Sequence, residues 1–246
     1  MLKLIMALSK RNRLTNIHPA EKTMLSLMPI IIMGFAKNPF VIIGNLLFFA
    51  LLHCIVKNNR KIVIKFSIEI ALFAAFSSIT LIFQYGYKYV IVIILKSLSA
   101  GLCLSFFSLT TPIDQVLWMM SKSNALKDIC DIAKSMERFL IVMNDEYNIM
   151  LSAMKSRGGF GSFSSKINST GKMAALLFVN TMERWKSIKD GINSRCYKGY
   201  MPYIQNEFDF VLWRFLLICG YDLILIFAVA FVNYHSNFIN LASLWR

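Results

Sequence analysis

Long apolar runs alternate with short charged stretches over the first half of the chain. They cover Met24–Ala36, Phe40–Val56, Phe66–Phe83 and Tyr89–Leu109, and a fifth, Phe210–Val232, lies near the end. Such runs predict membrane-spanning helices, because a bilayer core takes about 20 helical residues. The first run is short: 14 residues separate Lys22 from Lys37, Pro29 sits inside, and Asn38-Pro39 breaks it. Runs one and two are therefore two short spans or a re-entrant hairpin. Runs three and four are joined by Gln84–Lys88, where Tyr85, Tyr87 and Tyr89 suit the membrane–water interface. The expected fold is an all-α integral membrane protein with about five transmembrane helices.

Between the fourth and last runs the pattern changes. Thr110-Thr111-Pro112 reads as a helix start, with Thr111 able to cap, Pro112 suited to the first helical position and Asp114 at the positive end of the dipole. Beyond it, Ile129, Ile132, Met136, Leu140, Met143, Tyr147, Met150 and Met154 recur at helical steps of three and four. This helix is too polar to span a bilayer and should stop at Ser156-Arg157-Gly158-Gly159. The Gly/Ser-rich stretch 158–170 reads as a flexible turn that lets its neighbours move separately, with Ser169 or Thr170 capping a second helix. That helix carries Leu177, Trp185, Ile188 and Ile192 on one face and should stop at Ser194-Arg195-Cys196, with Gly199 and Pro202 beyond.

Charge sets an orientation on this pattern. The chain has 246 residues, 57% of them hydrophobic, and a net charge of +14. Five Lys/Arg precede the first run, four lie in 57–65 and thirteen in 110–207, while loops 37–39 and 84–88 carry one each. Cytoplasmic loops retain Lys and Arg, so 1–21 and 110–207 are expected inside, membrane helices occupy 22–109 and 208–232, and the tail 233–246 lies outside. The first residues, MLKLIMALSKRNR, are basic and mildly amphipathic, without the cleavage pattern of a signal peptide. The apolar runs account for the chain's class better than nucleic-acid binding does.

Candidate chemistry is sparse. Cys54, Cys103, Cys130, Cys196 and Cys219 form no C-x-x-C pair, and His18, His53 and His235 are far apart, so neither a metal site nor a disulfide framework is expected. The chain has no phosphate-binding G-x-x-x-x-G-K-[ST] run. Four charges fall within apolar runs: Glu69, Lys96, Arg214 and Asp222, the last two eight residues apart and so on one helix face. Such groups are costly in lipid, and they mark either a transport path or structural pairs and snorkelling side chains. The positive charge of 110–207 gathers late: 110–152 carries a net −2 and 153–200 a net +7. Two amphipathic helices thus end alike, in an apolar last turn followed by Ser-Arg, with the arginines 38 positions apart. Matched basic ends suit docking to an acidic partner, because Arg makes bidentate contacts with carboxylates.

The segments NRLTNIHPAEK, LTTPIDQVLW, AMKSRGG and MERWKSIKDGINSRCYKGYMP carry a resemblance that covers most of the chain. The sequence resembles the T components of energy-coupling-factor (ECF) transporters, and among them the CbiQ cobalt-transport family. Members have two Ala-Arg-Gly-type motifs at the ends of cytoplasmic coupling helices. Ala153 precedes the first here, with Ser156 in the Ala position, then Arg157 and Gly158. The second is Ser194-Arg195-Cys196, with Gly199 following. Cys196 stands where glycine is usual, and a Cys takes the left-handed cap at a cost, which leaves open whether the second helix ends by the same turn.

What the resemblance implies is a non-catalytic coupling subunit of an ATP-driven importer. Its partners would be two ECF ATPase subunits (CbiO-like) and a membrane S component (CbiM-like, with a CbiN-like small subunit in some systems), in a prokaryotic cell membrane. ATP and Mg would be bound by the ATPases, with no cofactor held by this chain and no nucleic-acid partner. The implied substrate is cobalt, then nickel. The alternatives are a T component shared among vitamin transporters, a membrane-embedded enzyme using the four intramembrane charges, and a membrane-anchored binder of anions using the basic patch.

Overall fold

A computed structural model describes residues 2–12, 14–36, 38–123, 125–196, 208 and 211–244, with side chains among these from Lys3 to Tyr234. Their regular elements are ten α-helices: α1 Leu2–Lys10, α2 Pro19–Gly34, α3 Pro39–Val56, α4 Arg60–Ser77, α5 Ile79–Tyr85, α6 Tyr87–Thr110, α7 Ile113–Ser121, α8 Lys127–Ser156, α9 Phe163–Ser194 and α10 Leu212–Leu244. The chain divides into two compact units, Lys3–Val116 with Gln205–Arg246, and Leu117–Ile204.

The first unit is the all-α membrane body. Among the described residues α3, α6 and α10 (over Leu212–Tyr234) are long and apolar enough to cross a bilayer, and α4 with α5 is a further span if the bent pair counts as one. The large apolar side chains of these helices, Phe40, Phe73, Phe83 and Leu212 among them, point outward, as they should where lipid is the solvent. The first predicted run is the short helix α2. Its 16 residues rise only about 24 Å, less than the roughly 30 Å of a hydrocarbon core.

The last carbonyls of α2, as of any helix, have no partner further along it. Two polar side chains from other helices meet them: Lys96 Nζ of α6 donates to Gly34 O at 2.8 Å, and Asn233 Nδ2 of α10 donates to Phe35 O at 2.9 Å. Lys96 thereby places a positive charge at the negative end of the α2 dipole. Around this end Met33, Ala36, Ile42, Leu225 and Val229 form one buried cluster.

The helix α6 packs against α2, α3, α4 and α5. Ser97, Gly101 and Ser105 recur at four-residue steps along it, the small-residue spacing that lets helices approach closely in membranes. A Cβ on Gly101 would lie 2.9 Å from Ser67 Cα, so α4 and α6 meet backbone to backbone. Asn45 of α3 donates to Ser99 Oγ at 2.9 Å and accepts from Tyr221 OH at 2.6 Å, tying α3, α6 and α10 together.

The third predicted run, Phe66–Phe83, is not one helix. It breaks between Ser77 and Ile79, and α4 and α5 bend by 53°. Ser77 Oγ donates to Ala74 O at 3.1 Å and Ser78 Oγ to Ala75 O at 3.0 Å. Hydroxyls that bond back to the preceding turn compete with the helix ladder and bend it, and two in succession do so here.

In the second unit α8 and α9 fill the region read as two amphipathic helices. One boundary differs. α9 starts at Phe163, so the link is the six residues 157–162, and the predicted flexible stretch to 170 is mostly helix. Ser169 and Thr170 do not cap it. Ser169 is buried and its Oγ donates to Gly159 O at 2.7 Å, while Thr170 Oγ1 donates to Lys166 O. The serines of this stretch bond the turn after α8, which leaves little freedom in the link.

Lys96→Met removes the donor to Gly34 O while keeping the apolar stem. The variant is expected to lose about 1–3 kcal/mol of stability, the cost of a carbonyl left without a donor where lipid and not water surrounds it. Thermal unfolding in detergent micelles measures this.

Candidate functional site

The two helix ends that carry the arginines can be compared atom by atom. The last carbonyls of a helix have no partner further along it. At the end of α8, Gly158 N–H bonds to Lys155 O and Gly159 N–H to Met154 O, both at 3.0 Å, with Gly158 at φ 71°. This crossed pair is the Schellman turn, which a residue with φ above zero makes possible. Gly159 is required for a different reason: a Cβ there would lie 2.9 Å from Ser169 Oγ and 3.0 Å from Met154 O. Ser156 Oγ donates to Ser152 O at 3.1 Å, and Ala153 O accepts from Arg157 N–H at 3.2 Å.

At the end of α9 the described part of this turn, the left-handed residue and its bond back to the helix, forms without the glycine. Cys196 takes φ 55°, and its N–H bonds to Asn193 O at 3.1 Å. Ser194 Oγ donates to Asp190 O at 2.9 Å, again one turn back. The question left open by the sequence is answered by this backbone: Cys196 adopts the left-handed position. Gly199 lies outside the described residues. Arg157 and Arg195 are both exposed, and neither makes an ion pair with another described residue.

The junction between α6 and α7 is held by a polar cluster, and Thr110, Thr111 and Pro112 form only one side of it. Thr110 is fully buried and its hydroxyl donates to Phe106 O at 2.7 Å. Thr111 is extended and ends α6. Its Oγ1 is buried without a hydrogen bond, so it does not supply the predicted cap, and Pro112 directly precedes α7. The Lys22 ammonium of α2, which in the sequence counts only as a cytoplasmic charge, reaches this junction. It donates to Thr110 O at 3.4 Å, Gln115 Oε1 at 3.1 Å and Thr15 O at 3.5 Å. Three N–H groups meeting three oxygens make a buried ammonium tolerable. Gln115 Nε2 donates to Thr15 O at 2.9 Å, and Asn12 Nδ2 donates to Leu109 O at 2.9 Å and Asn58 Oδ1 at 3.0 Å. Lys10 pairs with Asp114 at 2.8 Å. Lys10, Asn12, Thr15 and Lys22 therefore strap the end of α6 to the start of α7. The cue in the sequence is a Lys in the first turn of α2, the end of the dipole that disfavours a cation.

The four charges within apolar runs have separate environments. Glu69 lies 3.8 Å from Lys65, one turn away, with both side chains more than half exposed. Lys96 caps α2, as described. Arg214 is half-buried in the first turn of α10. Asp222, also on α10, is buried with Oδ1 unpartnered. No cluster of His, Cys, Asp and Glu that could hold a metal ion occurs among the described residues.

A family model described as cobalt transport protein, CbiQ, matches residues 11–205. The chain belongs to the CbiQ cobalt transport family. The matched region of this CbiQ member takes in the strap at the α6–α7 junction and both arginine ends, and stops short of α10. A protein of Methanocorpusculum labreanum, provisionally named fused cobalt transport protein CbiMQ, is 29% identical over 145 residues, 54% of this chain and 24% of that protein. An uncharacterized protein of Methanocaldococcus jannaschii is 27% identical over 121 residues, 49% of this chain and 45% of its own length. The chain thus spans less than half the length of each of these curated relatives.

Strain at Cys196 yields a sign that can be measured. An L-residue in the left-handed region costs about 1–2 kcal/mol. Cys196→Gly should therefore slow amide hydrogen exchange over the last turn of α9. Gly158→Ala should speed exchange over the last turn of α8, and by a comparable factor.

Proposed function

We propose that this CbiQ-family chain is the T subunit of an ECF-type importer, transmitting the motion of two cytoplasmic ATPases to a membrane S component. The observation that carries this reading is the pair of exposed arginines, Arg157 and Arg195, set on matching left-handed turns at the ends of α8 and α9. Each guanidinium is unpaired among described residues and free to take a carboxylate in bidentate fashion. Two such ends suit two ATPases, and the hydrolytic chemistry, with its ATP and Mg, belongs to those partners.

The rest of the chain supports a mechanical role. The strap of Lys22, Gln115, Asn12 and Lys10 fixes the α6–α7 junction to the membrane body, so force arriving there moves the body instead of bending a loose linker. α8 and α9 keep large apolar side chains outward, including Ile132, Met136, Phe178 and Trp185. Amphipathic helices of this kind rest on the membrane surface and on partner helices. In this reading the N-terminus and residues 110–207 are cytoplasmic, the membrane is the prokaryotic cell membrane, and the S component is CbiM-like, with a CbiN-like small subunit as a further member. A relative named for a fusion of CbiM and CbiQ favours cobalt as the substrate, with nickel next.

Co-purification tests the assignment. Arg157→Ala and Arg195→Ala should each weaken ATPase attachment by about 10–100-fold, the loss of one charge-assisted contact of roughly 1.5–3 kcal/mol. The double variant should leave hydrolysis uncoupled from cobalt uptake. Full attachment and transport in both single variants would overturn the coupling role.

A further inference from the structure

The equivalence of α8 and α9 extends well before their ends. Laid on one another at the 38-residue offset of the two arginines, they place Asp145 on Glu183, Tyr147 on Trp185, Met150 on Ile188, Met154 on Ile192 and Ser156 on Ser194. Acid, aromatic, two aliphatics, serine and arginine recur in register. Within this run one aligned pair of charges is opposite in sign, Glu146 on Arg184, and those two side chains are the ones that meet: Arg184 Nη2 donates to Glu146 Oε1.

That contact has a symmetry meaning. When two copies of a repeat pack about a two-fold axis, the residue on the axis meets its own equivalent. Like residues there would place like charges together, and the exchange of Glu for Arg turns that repulsion into an ion pair. A second contact fixes the direction of the helices. Gly159 after α8 touches Ser169 in α9, so moving forward along α8 from Glu146 means moving backward along α9 from Arg184. The helices run antiparallel, and their C-terminal ends leave the ion pair in opposite directions. Glu146 lies eleven positions before Arg157, and Arg184 lies eleven before Arg195. Eleven residues rise about 16 Å and close three turns to within roughly 20°. Each arginine therefore sits on nearly the same face of its helix as the charge at the crossing, at equal reach on either side.

We propose that the Glu146–Arg184 ion pair is the fulcrum of a pseudo-two-fold pair of arms, and that it sets the spacing and facing of Arg157 and Arg195 for two equivalent acidic sites on a dimeric partner. The inference rests on the coupling role proposed above. Glu146 and Arg184 are positioning residues; they dock nothing themselves. The two docking groups are held at most about 33 Å apart along this frame, and the partner's two sites must match that span in its closed state.

Charge exchange in the assembled transporter tests this. Glu146→Arg and Arg184→Glu each place like charges at the crossing and should lower cobalt taken up per ATP hydrolysed by at least about fivefold, the scale of coupling between contacting residues. The double exchange should restore it to within about twofold. Spin labels at positions 156 and 194, in a background with the native cysteines replaced, should report one narrow distance in the unmodified frame and in the double exchange, and a broadened one in each single reversal. Single reversals that keep both the narrow distance and the coupling ratio overturn the fulcrum. So does a folded double exchange with broad distances and no recovery. Glu146→Gln, which keeps the shape and removes the charge, should fall between wild type and reversal if a single reversal does not fold; unchanged distance and coupling there also overturn it. Failure of the underlying reading looks different: Arg157→Ala and Arg195→Ala would then leave ATPase attachment intact whatever happens at the crossing.

Discussion

Within a hydrocarbon layer a backbone N–H or C=O has no water to turn to, and each one left unpaired costs several kcal/mol. Most polar features of the membrane body follow from that constraint. α2 ends before it has crossed, so its terminal carbonyls need donors, and Lys96 and Asn233 come from two other helices to supply them. The same bonds fix where α6 and α10 must lie against α2. Where the run Phe66–Phe83 breaks, Ser77 and Ser78 hydroxyls keep the local carbonyls paired through the bend. Asn45, Ser99 and Tyr221 satisfy one another in the interior. A polar side chain buried in this body is in most cases the partner of a backbone group or of another such side chain.

The constraint relaxes at the Thr110 end of α6, and the design changes with it. Packing in the body is close, down to backbone contact at Gly101 and Ser67. At the α6–α7 junction the cohesion is polar instead, with Lys22 as its centre. Hydrogen bonds spread over Asn12, Thr15, Lys22, Thr110 and Gln115 resist rotation in a way that apolar contacts alone do not, because they are directional. α8 and α9 beyond are joined by the bonds of the turn after α8 and by the Glu146–Arg184 pair, and large apolar side chains on both stay exposed.

Much of this was legible in the sequence, for reasons that also explain the rest. Spans and amphipathic arms follow from periodicity, which survives in any context. The two arginine ends were legible because serine, arginine and a turn residue recur at a fixed offset. The bend at Ser77-Ser78 was not, since serine inside an apolar run is tolerated in a straight helix and only its hydroxyl geometry decides. The start of α9 is not legible because Ser169 and Thr170 look like caps, whereas Ser169 bonds the Gly159 carbonyl of the preceding turn and Thr170 the Lys166 carbonyl one turn back. Lys96 reads as an expensive charge until the helix it caps is known to stop short. Lys22 reads as an orientation signal until Gln115 and Thr110, over 80 positions away, are folded against it.

The two arms share a backbone turn but not its energy. At α8 glycine accepts the left-handed position without cost, and a second glycine lets Ser169 close over it, so that turn is both relaxed and packed. At α9 Cys196 holds the same conformation against its own Cβ, with the N–H bond to Asn193 O as the described restraint. Strain of this kind persists where the surroundings over-determine it. The turn at Arg195 is therefore the one nearer to opening, and the turn at Arg157 the one that stays fixed. In the coupling role proposed above, unequal stiffness at the two tips would make the response to a symmetric closing motion asymmetric, with α8 as the firm arm and α9 as the arm that gives.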